Sequence, residues 1–165
     1  MSETLPIALV EPKEDLADAH QWLARVLTSS AQAEQAIGHL CLRLDLPIKN
    51  GPLSSIDQLR ARLEKSDARR IKNLIKRIDR WRSLRPLRHV LAHCTLQVLY
   101  DEDRNPFIVT RHLPLDREDV TPDRLWIDAE RMELLRVTAN DGRSISDQVR
   151  NILSDAKLLA DLQKP

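Results

Sequence analysis

The sequence is poor in glycine, cysteine and aromatic residues: 3 Gly, 2 Cys, 3 Trp, 1 Tyr and 1 Phe among 165 residues. Glycine-rich phosphate loops and folds of many tight hairpins need positive φ at repeated positions, so this scarcity excludes Walker-type and dinucleotide-binding loops. Cys41 and Cys94 are too few for a disulfide framework and form no CxxC pair, so reduced thiols and a cytoplasmic location are expected. No wholly apolar stretch exceeds a few residues, and residues 1–12 lack a basic segment ahead of an apolar one, so neither a membrane span nor a secretory signal is expected. So few aromatics offer little for a base-stacking platform, and strong sequence readout of single strands is not expected.

What is present suits one compact domain. Hydrophobic residues make up 42% and charged residues 31%, enough to fill a core under a densely charged surface. The net charge of +1 hides an uneven distribution. Residues 1–59 hold 4 basic and 8 acidic side chains, 60–88 hold 12 and 3, and 89–165 hold 10 and 14. The basic middle segment reads either as a surface for a polyanion or as a solvated helix face neutralised by acidic neighbours.

Pro6 and Pro12 mark residues 1–12 as a tail or strap, and 13–165 as a single domain. From Lys13 to about Leu44 the positions Leu16, His20, Leu23, Leu27, Ala31, Ile37, Cys41 and Leu44 recur every three or four residues in part, which predicts one long amphipathic helix. Pro47, Gly51 and Pro52 punctuate a loop, and Ser55 with Gln58 forms a capping-box pattern that opens a short helix to about Lys65. Asp67 is placed to cap a third helix carrying the apolar stripe Ile71, Leu74, Ile75, Ile78 and Trp81. Pro86 fits the first turn of a fourth helix starting near Arg85, because its missing N–H would be unpaired there. Two β-prone runs around the polar turn 101–106 predict a β-hairpin over about 96–112, followed by a loop through 113–125. Segments 127–137 and 145–162 are helical by period, with Asn140-Asp141-Gly142 either ending one helix or lying within a continuous one. Trp81 and Trp126 read as core or interface anchors, and His20, His39 and His112 as structural.

The densest cluster of chemically capable side chains is Arg85, Arg88, His89, His93 and Cys94. His89 and His93 are four apart, hence on one helix face, and Arg88 has a stem long enough to come alongside. Imidazole moves protons near neutrality, and guanidinium holds a phosphate and offsets the charge of a phosphoryl transition state. At the start of a helix the backbone would add partial positive charge. His89, His93 and a cysteine also offer soft metal ligands, but a zinc site would show four ligands at recognisable spacing, so no metal and no other cofactor is expected.

Arg88-His89-Val90-Leu91-Ala92-His93 resembles the RxxxxH signature of the HEPN superfamily, including the polar residue after the Arg. The resemblance implies a mainly α fold, a HEPN-like helical bundle, here with the small hairpin inserted after the motif helix. It implies a metal-independent endoribonuclease of the toxin–antitoxin or defence kind, acting on RNA as a homodimer with the motif at the interface, with an antitoxin protein as a possible partner. Carried over, Arg88 neutralises the scissile phosphate, His93 acts as general base or acid, and His89 orients or assists. Arg85 with Arg69, Arg70, Lys72, Lys76, Arg77 and Arg80 would hold the RNA backbone by charge. One departure is Thr95, where nucleotidyltransferase-paired toxins of the family often carry Tyr, which puts regulation by modification of that Tyr in doubt. The alternative is a non-catalytic helical module that binds RNA or a partner protein.

Overall fold

The computed structural model describes residues 13–48, 54–112 and 123–164, so the expected tail over 1–12 lies outside the described residues. Among the described residues the chain forms α1 (Lys13–Arg43), α2 (Ile56–Glu64), α3 (Arg69–Ala92), β1 (Cys94–Tyr100), β2 (Pro106–His112), β3 (Arg124–Trp126), α4 (Asp128–Ser154) and α5 (Ala156–Gln163). The architecture is mainly helical with a small antiparallel sheet in the order β1-β2-β3.

Helix α1 is long, as its pattern predicts, and Ile37, Cys41 and Leu44 are buried as expected, but over the first half of the helix the buried stripe is rotated from the expected one. Ala19, Trp22, Val26, Ser30, Ala33, Ile37, Leu40 and Cys41 are buried, whereas His20 is exposed and Leu23 and Leu27 are half-buried. The shift of about one residue, or 100°, follows from packing Trp22 and Val26 toward the sheet and α4 rather than from the larger aliphatics alone. The helix ends in a Schellman turn: Leu46 N–H donates to the Cys41 carbonyl at 2.9 Å and Asp45 N–H to the Leu42 carbonyl at 3.2 Å. Asp45 takes the left-handed conformation, φ 54°, usually left to glycine.

Two helix starts differ from the expected capping. Ser55 stands at the N-cap of α2, but its hydroxyl donates to the Pro47 carbonyl and makes no capping bond. Ala68, not Asp67, caps α3, and Asp67 pairs with Lys72 at 2.9 Å instead. The larger correction is that no fourth helix begins at Arg85: α3 runs unbroken through Pro86 to Ala92. A mid-helix proline costs about 3 kcal/mol, yet the apolar stripe continues on both sides of it. Trp81 and Leu91 are buried, and Leu84 and Leu87 pack against the core between them. Burying side chains of this size at ~1.5–3 kcal/mol each offsets the lost backbone bond.

The hairpin forms with full register from Cys94↔His112 to Tyr100↔Pro106, two residues longer at its start than expected. Asp101 closes its turn, accepting from Asn105 N–H at 2.7 Å and from the Asn105 side-chain amide at 2.9 Å. Of the expected loop through 113–125, residues 113–122 lie outside the described residues, and Arg124 and Leu125 belong instead to a third strand, which pairs Ile108↔Trp126 and Thr110↔Arg124. Trp126 anchors it: the indole N–H donates to the Thr110 hydroxyl at 2.9 Å, and the ring meets Trp22 edge-on at 5.2 Å.

Helix α4 is continuous through Asn140-Asp141-Gly142, and the break falls instead at Asp155, whose carboxylate caps α5 by accepting from Leu158 N–H at 2.9 Å. Gly142 is buried because α1 crosses there, and Ser146 donates to the Gln32 carbonyl one turn on. Trp22 lies beside Arg131 and Gln32 beside Ser146, so α1 and α4 run parallel, with α3 antiparallel across them. Two buried clusters line up along this frame. One joins the later half of α1 with α2, α5 and the basic part of α3. The other joins the first half of α1, the sheet and the last turn of α3 around Trp22, Leu91 and Trp126.

Candidate functional site

Because α3 does not restart at Pro86, the Arg88–His93 segment closes a helix instead of opening one. His89 stands in its last turn with Arg88 just before it, and His93 is the C-cap, with φ −119° and ψ 17° and its N–H on the Val90 carbonyl at 3.1 Å. Cys94 starts β1 immediately afterwards. The backbone therefore presents carbonyls here, and the expected partial positive charge of a helix N-terminus is absent. Positive charge at this end comes from side chains alone.

His89 and His93 are brought together. Their ring centroids are 4.7 Å apart at an interplanar angle of 58°, and both residues are exposed. A helical turn followed by the extended geometry after the C-cap leaves both imidazoles at one corner, accessible to solvent and to a ligand. Arg88 behaves differently. It is half-buried and its guanidinium pairs with Glu34 of α1 at 3.4 Å, while its Nε is buried without a hydrogen-bond partner. Glu34 is only 17% exposed. The fold thus brings a carboxylate to the cluster from a residue 54 positions earlier. The 3.4 Å contact to Glu34 engages Nη2 alone, so the guanidinium keeps Nη–H donors that Glu34 does not use.

Arg85 is exposed on the same final stretch of α3. Of the remaining basic residues, the structure gathers some and separates others. Lys76, Arg77 and Arg80 share a cavity of about 370 Å³ with Asn73 and Gln148. Arg77 and Arg80 both bind Asp141, Arg77 Nη1 at 3.0 Å and Arg80 Nε at 2.8 Å, with a further Arg80 Nη2 contact. Asp141 is completely buried while the Arg77 and Arg80 side chains remain 37% and 49% exposed. The hydrogen bonds to Asp141 hold the Arg80 guanidinium above its ordinary pKa. Arg70 pairs with Asp155 at the start of α5, and Lys72 with Asp67. Arg69, Lys76 and Arg85 make no ion pair among the described residues. Much of the basic segment is therefore internally neutralised, and on α3 the remaining positive charge sits at Arg69 at its start, at the α3–α4 groove and at its end.

Two residues that matter here escape a reading of the basic motif alone. Asp141 had a signal, since it occupies a buried position in the α4 series Leu134, Thr138, Asp141, Ile145, Val149 and Ile152; a carboxylate at core spacing demands cationic partners. Glu34 had only a weak one, beside Ala33 on the edge of the α1 stripe.

No group of three His, Cys, Asp or Glu side chains is placed to hold a metal among the described residues. Cys41 lies in the other core cluster, where burial pushes its thiol up to about 11, and Cys94 donates to the Leu91 carbonyl at 3.2 Å with its thiol also raised by burial. No helix among the described residues is long and apolar enough to cross a membrane. Compared with known protein families, curated proteins and solved structures, the chain matches none.

Proposed function

We propose that the protein is a metal-independent endoribonuclease of HEPN type whose reaction centre is the exposed His89–His93 pair with Arg88. The observation that carries this reading is the 4.7 Å approach of two solvent-accessible imidazoles at the end of a basic helix. One imidazole takes the proton from an RNA 2′-hydroxyl as its oxygen bonds to phosphorus, and the P–O5′ bond breaks. A protonated imidazole then gives its proton to the departing 5′-oxygen. The products are a 2′,3′-cyclic phosphate and a 5′-hydroxyl, and DNA is not a substrate. His93 is the base or acid, His89 orients or assists, and Arg88 offsets charge on the phosphoryl oxygens once it leaves Glu34. A homodimer with the motif at its interface would add a second Arg88 and His pair to the same centre, and a toxin or defence setting, with a partner antitoxin, fits such an activity.

The Arg88–Glu34 pair favours a second reading, a non-catalytic module that binds RNA or a partner protein, because a guanidinium committed to a carboxylate is an ordinary structural device. Incubation of the protein with single-stranded RNA in excess EDTA, beside Arg88→Ala and His93→Ala, separates the two. Cleavage by the parent protein alone supports the ribonuclease. Intact RNA with measurable binding in all three supports the module.

A further inference from the structure

The ion pairs that hold α3 to α4 also shape an opening whose charge is unbalanced. Lys76, Arg77 and Arg80 face it from α3, and Asp141 is the carboxylate that answers them, so two positive charges are left over. Asp141 lies behind the guanidiniums, fully buried, and fixes their planes without occupying the space in front. Arg77 uses one Nη on Asp141, and Arg80 uses Nε and Nη2, so each keeps donors directed elsewhere. The α4 wall contributes neutral amides and hydroxyls. Gln148 donates to the Ser144 hydroxyl at 3.0 Å, and its Oε1 is buried with no partner. Turned end for end, the same amide accepts from Ser144 and presents its N–H groups to an oxyanion. Gln148 also lines the neighbouring cavity of about 550 Å³ with Asn151, Arg70 and Asp155, where the Arg70–Asp155 ion pair balances its own charge and leaves the excess at Lys76, Arg77 and Arg80.

We infer that this α3–α4 groove is a phosphodiester-binding track for single-stranded RNA, with Lys76, Arg77 and Arg80 as its charged contacts, Asn73 and Gln148 as neutral donors, and Asp141 as the positioning residue. Guanidiniums already held in place lose little freedom when a phosphate arrives, which favours binding over flexible surface lysines. The track and the motif share one helix. From Arg77 or Arg80 to Arg88 is 8 to 11 residues, about 12–17 Å of helix axis, a span that one strand lying along α3 covers. The inference rests on the proposed function only for the identity of the polyanion.

The test uses a short single-stranded RNA with 2′-O-methyl groups at every position, which binds but is not cut, and follows affinity against salt concentration. Lys76→Gln and Asn73→Ala touch no ion pair of the core, so their folding is secure; Arg80→Gln is the stronger but riskier variant. Lys76→Gln is expected to weaken binding about fivefold and to lower the slope of log affinity against log salt by about 0.7, the loss of one phosphate contact. Arg43→Gln, the same charge change at the end of α1, is expected to leave the slope unchanged. Equal affinity and slope for the parent, Lys76→Gln and Asn73→Ala overturns the track, even if unmodified RNA is cleaved. Inorganic phosphate that displaces the oligonucleotide at comparable concentration makes the site one for small anions and overturns the polynucleotide assignment. Groove-dependent binding with no cleavage of unmodified RNA upholds the track while the ribonuclease reading fails.

Discussion

Gly142 on α4 faces the carbonyl oxygen of Ser29 on α1 so closely that a Cβ at 142 would lie 2.4 Å from it. In an exposed helix, Gly→Ala stabilises by roughly 1 kcal/mol through propensity. Here the obstacle is backbone on a neighbouring helix, which cannot swing aside as a side-chain tip does. Gly142→Ala is therefore expected to lower stability by about 1–3 kcal/mol, read as a reduced denaturant midpoint with an unchanged slope. A gain in stability would show that α1 and α4 do not approach this closely.

The clamp of Asp141 by Arg77 and Arg80 has an asymmetric cost. Asp141→Asn leaves two guanidiniums that are already partly exposed and regain water, so the loss is about 1–2 kcal/mol. Arg77→Gln with Arg80→Gln leaves a carboxylate buried without a charge partner, at roughly 3–5 kcal/mol. Chemical denaturation of the two variants checks the order. The same loss in both would mean that water reaches Asp141.

Asp155 gives the fold a defined acid response. The Leu158 N–H and then Arg70 hold its carboxyl below the ordinary carboxylate value. A depressed folded pKa means that the unfolded chain binds the proton more readily, so this contribution is complete above the unfolded value of about 3.9. It fades as pH falls through the folded value. Asp155→Ala is expected to be less stable than the parent at neutral pH, with the gap closing below about pH 4. Thermal unfolding across that range measures it, and a gap constant with pH would contradict the assignment.

Glu34 competes with any phosphate for Arg88. Glu34→Gln removes that competing charge while keeping the shape of the side chain, and is expected to tighten RNA binding about fivefold, the equivalent of ~1 kcal/mol. The binding isotherm of a non-cleavable RNA reads this directly. Weaker binding would show that Glu34 positions Arg88 for the ligand and does not restrain it.

Much of the fold is legible in the sequence because periodicity survives local noise. The long α1, the Ile71–Trp81 stripe and the hairpin all follow from spacing and turn residues. The failures share a cause: a local signal is outvoted by packing that sequence does not display. Pro86 reads as a start, yet Leu84, Leu87 and Leu91 continue the stripe across it. Asn140-Asp141-Gly142 leaves a break and a continuous helix both open in sequence, and the choice is made by the crossing of α1 at Gly142. The short β3 carries too few residues to show a period, and only its pairing with β2 defines it. At the candidate site, the four-residue spacing of His89 and His93 foretells their contact. Glu34 shows only as a carboxylate on the edge of the α1 stripe, and its pairing with Arg88 is not legible because the two lie on different helices. The distribution of the basic residues is half legible: their helix is evident, but which of them face Asp141 depends on how α3 meets α4.

The most direct measurement is analysis of the ends left on a defined single-stranded RNA after incubation with the protein in excess EDTA, with His93→Ala in parallel. The ribonuclease reading predicts fragments ending in 2′,3′-cyclic phosphate and beginning with 5′-hydroxyl, none of them with His93→Ala, and none when the nucleotide at the cut carries 2′-deoxyribose. RNA that stays intact with the parent protein, or fragments that His93→Ala produces equally well, would contradict it.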